Sequence, residues 1–217
     1  MTTATITQPT PRSASFLRQF LRAPTQVGAI APSSSALAEE MAGGIGLEKA
    51  DVVVEYGPGT GAFTGHMLKA IHAQAKVFAI EVNPAMAAAL RTRFPQLHLH
   101  EGSVADVATF CAKEGIELPR TDGHATRAFT PGPGVDAVLS GLPWAAFPES
   151  LQRSILDATV RVLKPGGVLA TFAYTIGLHT AAGKRFHAML PEYFTKVERS
   201  RVVWRNLPPA VVVRCWR

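Results

Sequence analysis

The chain has 217 residues, 47% of them hydrophobic and 18% charged, which is enough to bury one ordinary core without disulfides or a structural metal. Two cysteines, Cys111 and Cys215, exclude a disulfide framework and read as reduced, buried thiols, and no window approaches the roughly eighteen apolar residues of a membrane span. The formal charge of +6 favours an anionic partner and leaves RNA and an anionic membrane both open.

Met1 to Ser15 are rich in Thr, Pro and Ser and have no apolar centre, so residues 1–15 read as a loose tail and not a secretory signal, and a cytoplasmic protein is expected. Residues 16–34, FLRQFLRAPTQVGAIAPSS, join an amphipathic stretch to a Gly/Pro/Ser hinge. At about 100° per residue Phe16, Leu17, Phe20 and Leu21 share one arc, while Arg18, Gln19 and Arg22 fall opposite. Arg12, Arg18 and Arg22 would each contribute about 1 kcal/mol near an anionic leaflet, so this helix is expected to lie in a membrane interface rather than pack into the core.

Ser33 to Ser35 offer N-caps for a helix over Ala36 to Met41, with Gly43, Gly44 and Gly46 ending it. Asp51 to Tyr56 is a short, β-branched, apolar run suited to a strand covered on both faces. A helix over Phe63 to Gln74, a strand over Lys76 to Val82, a helix over Pro84 to Phe94 and a strand over Leu97 to His100 follow in a βαβαβ rhythm. A helix near Val104 to Glu114 precedes a Pro/Gly-rich surface loop over Leu118 to Gly134. Val135 to Ser140 is strand four, and Glu149 to Leu163 a helix stopped by Lys164-Pro165-Gly166-Gly167. Val168 to Tyr174 is strand five and His179 to Leu190 a helix. Lys196 to Trp204 and Ala210 to Trp216 form a hairpin through Arg205 to Pro209. The pattern predicts a single domain over 35–217, an α/β sheet with an antiparallel finish.

The loop VVVEYGPGTGAFT sets Gly57, Gly59 and Gly61 after strand one and before a helix, the place where a doubly wound sheet binds a nucleotide-like ligand. Its spacing is G-x-G-x-G, not the dinucleotide G-x-G-x-x-G, and Glu55 stands two residues upstream, where it would repel a pyrophosphate. A carboxylate there suits a ligand with an ammonium and a sulfonium, and the glycines let it lie on bare backbone. S-adenosylmethionine is such a ligand. Glu81, ending strand two with Val82 next to it, matches the acid that accepts both ribose hydroxyls.

On these residues the chain resembles the class I S-adenosylmethionine-dependent methyltransferases over Asp51 to Arg217, which implies a Rossmann-like, mostly parallel sheet with a reversed last strand. That resemblance implies an acid after strand three for the adenine amine. Here Gly102-Ser103-Val104 stands there, leaving Ser103 or Asp106 to serve.

After strand four, LSGLPWAAFP occupies the acceptor-facing position. Enzymes that methylate base amines carry an Asn or Asp at its head, whereas here Ser140-Gly141-Leu142-Pro143-Trp144 has no such group. The chain is more similar to bacterial phospholipid N-methyltransferases, through PTQVGAIAPSS (Pro24 to Ser34), SGLPW and WRNLPPA (Trp204 to Ala210). That likeness implies stepwise methylation of phosphatidylethanolamine to phosphatidylcholine on the inner face of the membrane. It also implies a lid of Gly28, Ile30 and Ser33 over the methionine end of the cofactor, with Ser140, Leu142 and Val104 as further cofactor contacts and S-adenosylhomocysteine as product.

If the last strand is reversed, its turn opens at the ligand edge, making Arg205 and Asn206 candidates for a lipid phosphate. Tyr174 and Trp144 are candidates to stabilise the developing ammonium, and Tyr174 or His179 to take the departing proton. Lys184, Arg185 and His187 could meet phosphate. His98 and His100 alternate on one strand face, and no metal role is assigned to them. A monomer acting without nucleic acid is expected. The alternatives are an RNA adenine N6-dimethyltransferase, disfavoured by Ser140 and by the lack of an added RNA-binding region, and a noncatalytic membrane-docking protein of this fold, disfavoured by Glu55 and Glu81.

Overall fold

The computed structural model describes residues 33–119 and 132–217. Within them the helices are α1 (Ser35–Ala42), α2 (Thr64–Ala70), α3 (Pro84–Arg93), α4 (Val107–Lys113), α5 (Glu149–Val162) and α6 (Ala181–Tyr193). The strands are β1 (Val52–Tyr56), β2 (Lys76–Glu81), β3 (His98–Glu101), β4 (Val135–Ser140), β5 (Leu163–Tyr174), β6 (Lys196–Arg199) and β7 (Ala210–Trp216). They form one sheet in the order β3-β2-β1-β4-β5-β7-β6. β1 to β5 pair in parallel, and β7 runs antiparallel to both β5 and β6, so β7 alone is reversed.

Strand alternation sorts the apolar side chains into two layers. Val54, Tyr56, Val138, Leu169, Val211 and Val213 face one side, packed with Val107, Ile155, Leu156 and Leu190. Val53, Ala137, Leu139, Val168, Ala170 and Val212 face the other, packed with Leu37, Met41, Phe63 and Met67. Each large side chain buried this way contributes about 1.5–3 kcal/mol. Both cysteines are buried free thiols.

Several boundaries differ from the sequence expectation for local reasons. The helix after the glycine loop is shorter, ending at Ala70, and a 3-10 turn over Val104–Asp106 precedes α4. β5 begins at Leu163, five residues before the expected start, because Lys164-Pro165-Gly166-Gly167 is a bulge and not a stop. Leu163 pairs with Val135, and pairing resumes at Ala137 with Val168. Inside that bulge buried Lys164 forms an ion pair with buried Asp136, whose Oδ2 accepts the N–H groups of Asp51 and Val52 at 3.1 and 3.0 Å. β6 is shorter than expected: it ends at Arg199, beyond which Ser200 N–H still donates to the Val212 carbonyl and Val203 makes an isolated bridge to Ala210. The loop expected over 118–134 falls largely on residues 120–131, outside the described residues.

Candidate functional site

In an open α/β sheet, ligands bind beyond the carboxyl ends of the strands where the strand order reverses. Here that point lies between β1 and β4. Gly57 N–H donates to the Ile80 carbonyl at 2.9 Å and Gly141 N–H to the Tyr56 carbonyl at 2.8 Å, drawing the loops after β1, β2 and β4 together. A Cβ at Gly141 would lie 2.5 Å from the Gly57 carbonyl oxygen, so contact between the loops imposes glycine there.

Two carboxylates sit beneath this junction. Glu55 is fully buried, its Oε2 accepting from Thr64 Oγ1 at 2.7 Å while its Oε1 has no partner. Burial pushes its pKa from 4.5 up to about 7 against the lowering effect of the Thr64 bond, and the Glu81 charge adds to the rise. Glu81, also buried, accepts from Gly59 N–H at 3.1 Å and Asn83 N–H at 2.9 Å, and burial again raises its pKa. Asn83 then caps α3 through Ala85 N–H and Met86 N–H. Thr64 is a contributor that pattern reading passes over, and its only sequence signal is a hydroxyl opening the helix after the glycine loop.

These residues fit S-adenosylmethionine. A buried carboxylate with one unpartnered oxygen is what an ammonium would satisfy, and a second one at the end of β2 keeps lone pairs for ribose hydroxyls. Gly59, at φ 56°, has open space where a side chain would stand. At Gly61 a Cβ would lie 2.4 Å from Phe94 Cε2, so packing against the end of α3 by itself requires glycine there. Gly57 abuts Leu142 Cδ2, a Cβ being 2.8 Å away. Val82 and Val104 are buried near the ends of β2 and β3. Ser103 Oγ caps the Val104–Asp106 turn by accepting Ala105 N–H at 3.2 Å, while Asp106 is partly buried with its carboxyl pKa raised by that burial.

Residues 53–167 match the methyltransferase domain family. The chain belongs to that family. This methyltransferase is 30% identical over 203 residues to the ornithine lipid N-methyltransferase of Singulisphaera acidiphila, covering 92% of this chain and 93% of that one. Its fold is similar to the O-methyltransferase from Bacillus cereus in complex with SAH (TM-score 0.63, 12% identity, 99% of this chain and 94% of that one). It is likewise similar to the O-methyltransferase TomG from Streptomyces achromogenes in complex with SAM (TM-score 0.59, 16% identity, 98% and 92%). The fold is the class I S-adenosylmethionine-dependent architecture, and S-adenosylmethionine is the methyl donor.

On the acceptor side, several expected roles change. Ser140 is wholly buried, and its Oγ accepts from Trp144 Nε1 at 3.1 Å and Leu142 N–H at 3.4 Å, so its lone pairs build the loop. Trp144 is itself 3% exposed, stacked on Phe186 at 4.6 Å with its carbonyl held by Gln152 Nε2 at 2.7 Å. It forms a fixed wall. Tyr174 packs with Phe172 in the opposite core layer, so the structure does not stack the two aromatics into one cage. Burial raises the Tyr174 pKa, which keeps it a neutral phenol able to relay a proton but not to hold one as a base. His179 is exposed in the turn that follows β5.

Arg185 leans on Glu149 at 3.7 Å, and Lys184 is exposed on α6. His187 lies against Phe186, and burial first, then Arg199, pushes its pKa down to about 4. A ring held neutral in this way offers no positive charge to a phosphate. Arg205 is exposed in the hairpin turn, but Asn206 is buried. Its Oδ1 accepts Ser34 N–H at 2.9 Å and its Nδ2 donates to the Pro208 carbonyl at 2.7 Å, so it ties two segments together and is not open to a lipid phosphate.

Ser34 caps α1 through Leu37 N–H, with partly buried Ser33 just before it. Gly28 and Ile30, and the membrane-directed Arg12, Phe16, Leu17, Arg18, Phe20, Leu21 and Arg22, lie outside the described residues. His98 Nδ1 and His100 Nε2 both contact the carboxylate of Glu114, at 2.9 and 2.7 Å.

Proposed function

We propose that this methyltransferase N-methylates the amine of a membrane-lipid headgroup, with an ethanolamine phospholipid as acceptor and stepwise addition from phosphatidylethanolamine towards phosphatidylcholine. The observation that carries this reading is the similarity, over 92% of the chain, to a protein named for N-methylating a lipid. The carboxyl edge supports it, since exposed Arg205 stands there with no acidic residue between Arg199 and Arg217. Such an edge suits a headgroup carrying phosphate. The enzyme would act as a monomer, peripherally on the inner face of the membrane. An amino-acid headgroup is the second reading, favoured by the same relative's ornithine lipid.

When bound, S-adenosylmethionine supplies an electrophilic methyl carbon on a sulfonium. Glu55 would neutralise the donor's ammonium, and Glu81 would accept from its ribose hydroxyls. Methyl transfer is an in-line displacement that rewards alignment and exclusion of water. Ser140, Trp144 and Gln152 hold the acceptor loop rigid for that alignment. The Tyr174 ring, half-buried at the end of β5, would attract the developing ammonium with about 0.5–2 kcal/mol. The attacking nitrogen must lose one proton per methyl group, because each ammonium has to become a free amine before it attacks. Tyr174 hydroxyl would pass it on, with His179 or solvent as the acceptor. RNA is disfavoured because the head of the acceptor loop is Ser140, which has no side-chain carbonyl to accept from a base amine and whose oxygen already accepts from Trp144 Nε1.

The test is expression in a bacterium that makes phosphatidylethanolamine but neither methylated nor ornithine lipids. Mono-, di- and trimethylated ethanolamine lipids should appear in the extract, and an unchanged lipid profile with active soluble protein would contradict the phospholipid assignment.

A further inference from the structure

Among the described residues, three large apolar side chains stand open to solvent: Ile176 at 73%, Trp204 at 75% and Leu207 at 78% exposure. Single exposed apolar residues are ordinary, but clustered ones mark interaction sites, and these three share one place in the fold. Tyr174 pairs with Ala210, and Thr175 N–H donates to the Pro209 carbonyl at 2.9 Å, setting Ile176 beside the β6–β7 turn that carries Trp204 and Leu207. The turn is braced from beneath. Val203 bridges Ala210, Asn206 N–H donates to the Val203 carbonyl, and buried Asn206 bonds both Ser34 and Pro208. Trp204, Arg205 and Leu207 are exposed around the buried Asn206.

Charge narrows the partner. Arg199, Arg201 and Arg205 are all exposed on this hairpin, whose single acid, Glu198, is paired with Lys196 at 2.7 Å, and no Asp or Glu follows from Arg199 to Arg217. From Tyr174 to Pro191, likewise without Asp or Glu, the other charged side chains are Lys184 and Arg185. Indole and aliphatic side chains ringed by arginines match the boundary between acyl chains and anionic headgroups.

We infer that the β6–β7 hairpin tip, together with Ile176, is a docking surface for an anionic bilayer. Trp204, Leu207 and Ile176 enter the headgroup boundary, and Arg201 and Arg205 meet lipid phosphates. This turns the carboxyl edge of the sheet toward the membrane, so that a headgroup reaches the site without its lipid leaving the bilayer. The surface uses none of the amphipathic residues 16–22 and rests on the lipid-methylation reading.

The experiment uses the full chain and vesicles of phosphatidylethanolamine and phosphatidylglycerol with brominated acyl chains. Vesicles should blue-shift and quench a fluorescence component that is missing in W204F. The triple variant I176S/W204S/L207S should partition at least about tenfold more weakly. Its methylation of a soluble short-chain ethanolamine phospholipid should stay within about twofold of wild type. A Trp204 component that vesicles leave unquenched overturns the proposal, as does unchanged partitioning of the triple variant. An emission already blue without vesicles and unmoved by them would assign the surface to another part of the chain or a second copy, which also overturns it. Failure of wild type to methylate the short-chain lipid would instead retire the substrate assignment, while Trp204 quenching would still support the docking surface.

Discussion

The backbone N–H of Ser34 donates to Oδ1 of Asn206, 172 residues later in the chain, at 2.9 Å. This bond fastens the start of α1 to the hairpin turn, at the carboxyl edge of the sheet. Arg214 fastens the other end of α1 through the Glu40 and Gly43 carbonyls, at 2.6 and 3.1 Å. Ser34 therefore enters α1 beside the hairpin turn, while Gly28 and Ile30 lie outside the described residues.

Asn206→Ala should cost about 1–3 kcal/mol in urea denaturation, since it leaves buried groups without partners. It should also weaken S-adenosylmethionine binding by loosening that entry. Asn206→Asp keeps the acceptor for Ser34 but sets a buried carboxylate oxygen against the Pro208 carbonyl, so it should cost at least as much at neutral pH. Normal stability with only a raised KM for lipid would return Asn206 to phosphate binding.

Glu55 gives a pH signature. Its carboxyl titrates at about 7 in the fold against 4.5 ordinarily, so the fold keeps a proton that the unfolded chain has already released. Stability of the ligand-free protein should therefore fall as pH rises from 4.5 to about 7 and level off above, by up to about 3 kcal/mol. Glu55→Gln should be more stable than wild type at pH 8, with no gain at pH 4. Because an ammonium ligand requires the carboxylate, S-adenosylmethionine affinity should weaken about tenfold per pH unit below 7. The variant should bind poorly at every pH. Calorimetry and urea melts at the two pH values measure both effects.

Ser140→Ala separates loop building from cofactor contact. It strands the buried Trp144 N–H, so the protein should lose about 1–3 kcal/mol of stability. S-adenosylmethionine affinity, measured by calorimetry, should change less than about threefold. A large loss of affinity at normal stability would show that the hydroxyl touches the cofactor.

The glycines of the loop should divide by role. Gly61→Ala drives a Cβ toward Phe94 and should cost about 2–4 kcal/mol from overpacking and left-handed strain together, partly rescued by Phe94→Leu. Gly59→Ala meets open space and should cost about 1–2 kcal/mol from strain alone, while abolishing measurable cofactor binding. Thermal melts with and without S-adenosylmethionine distinguish the two.

The sheet, its reversed last strand and the glycine loop with Glu55 and Glu81 were legible because each is a local pattern: apolar runs, strand-end acids, turn residues. The start of β5 was not legible, because Lys164 to Gly167 reads as a stop until Asp136 is seen to hold Lys164 inside a bulge. The roles of Ser140 and Asn206 were read as ligand contacts because a polar residue at a ligand edge invites that reading. Only the fold reveals that Trp144 and Ser34 already use those groups. His187 misled for a related reason: helical spacing does not say that the ring is partly buried, with the charge of Arg199 disfavouring its protonation.

The most direct test gives purified full-length enzyme methyl-labelled S-adenosylmethionine and, in parallel, ethanolamine-phospholipid vesicles, ornithine-lipid vesicles and RNA, with mass spectrometry of each acceptor. Successive methyl additions on the ethanolamine nitrogen, with RNA unlabelled, are predicted. Label in RNA and in neither lipid would contradict lipid N-methylation outright.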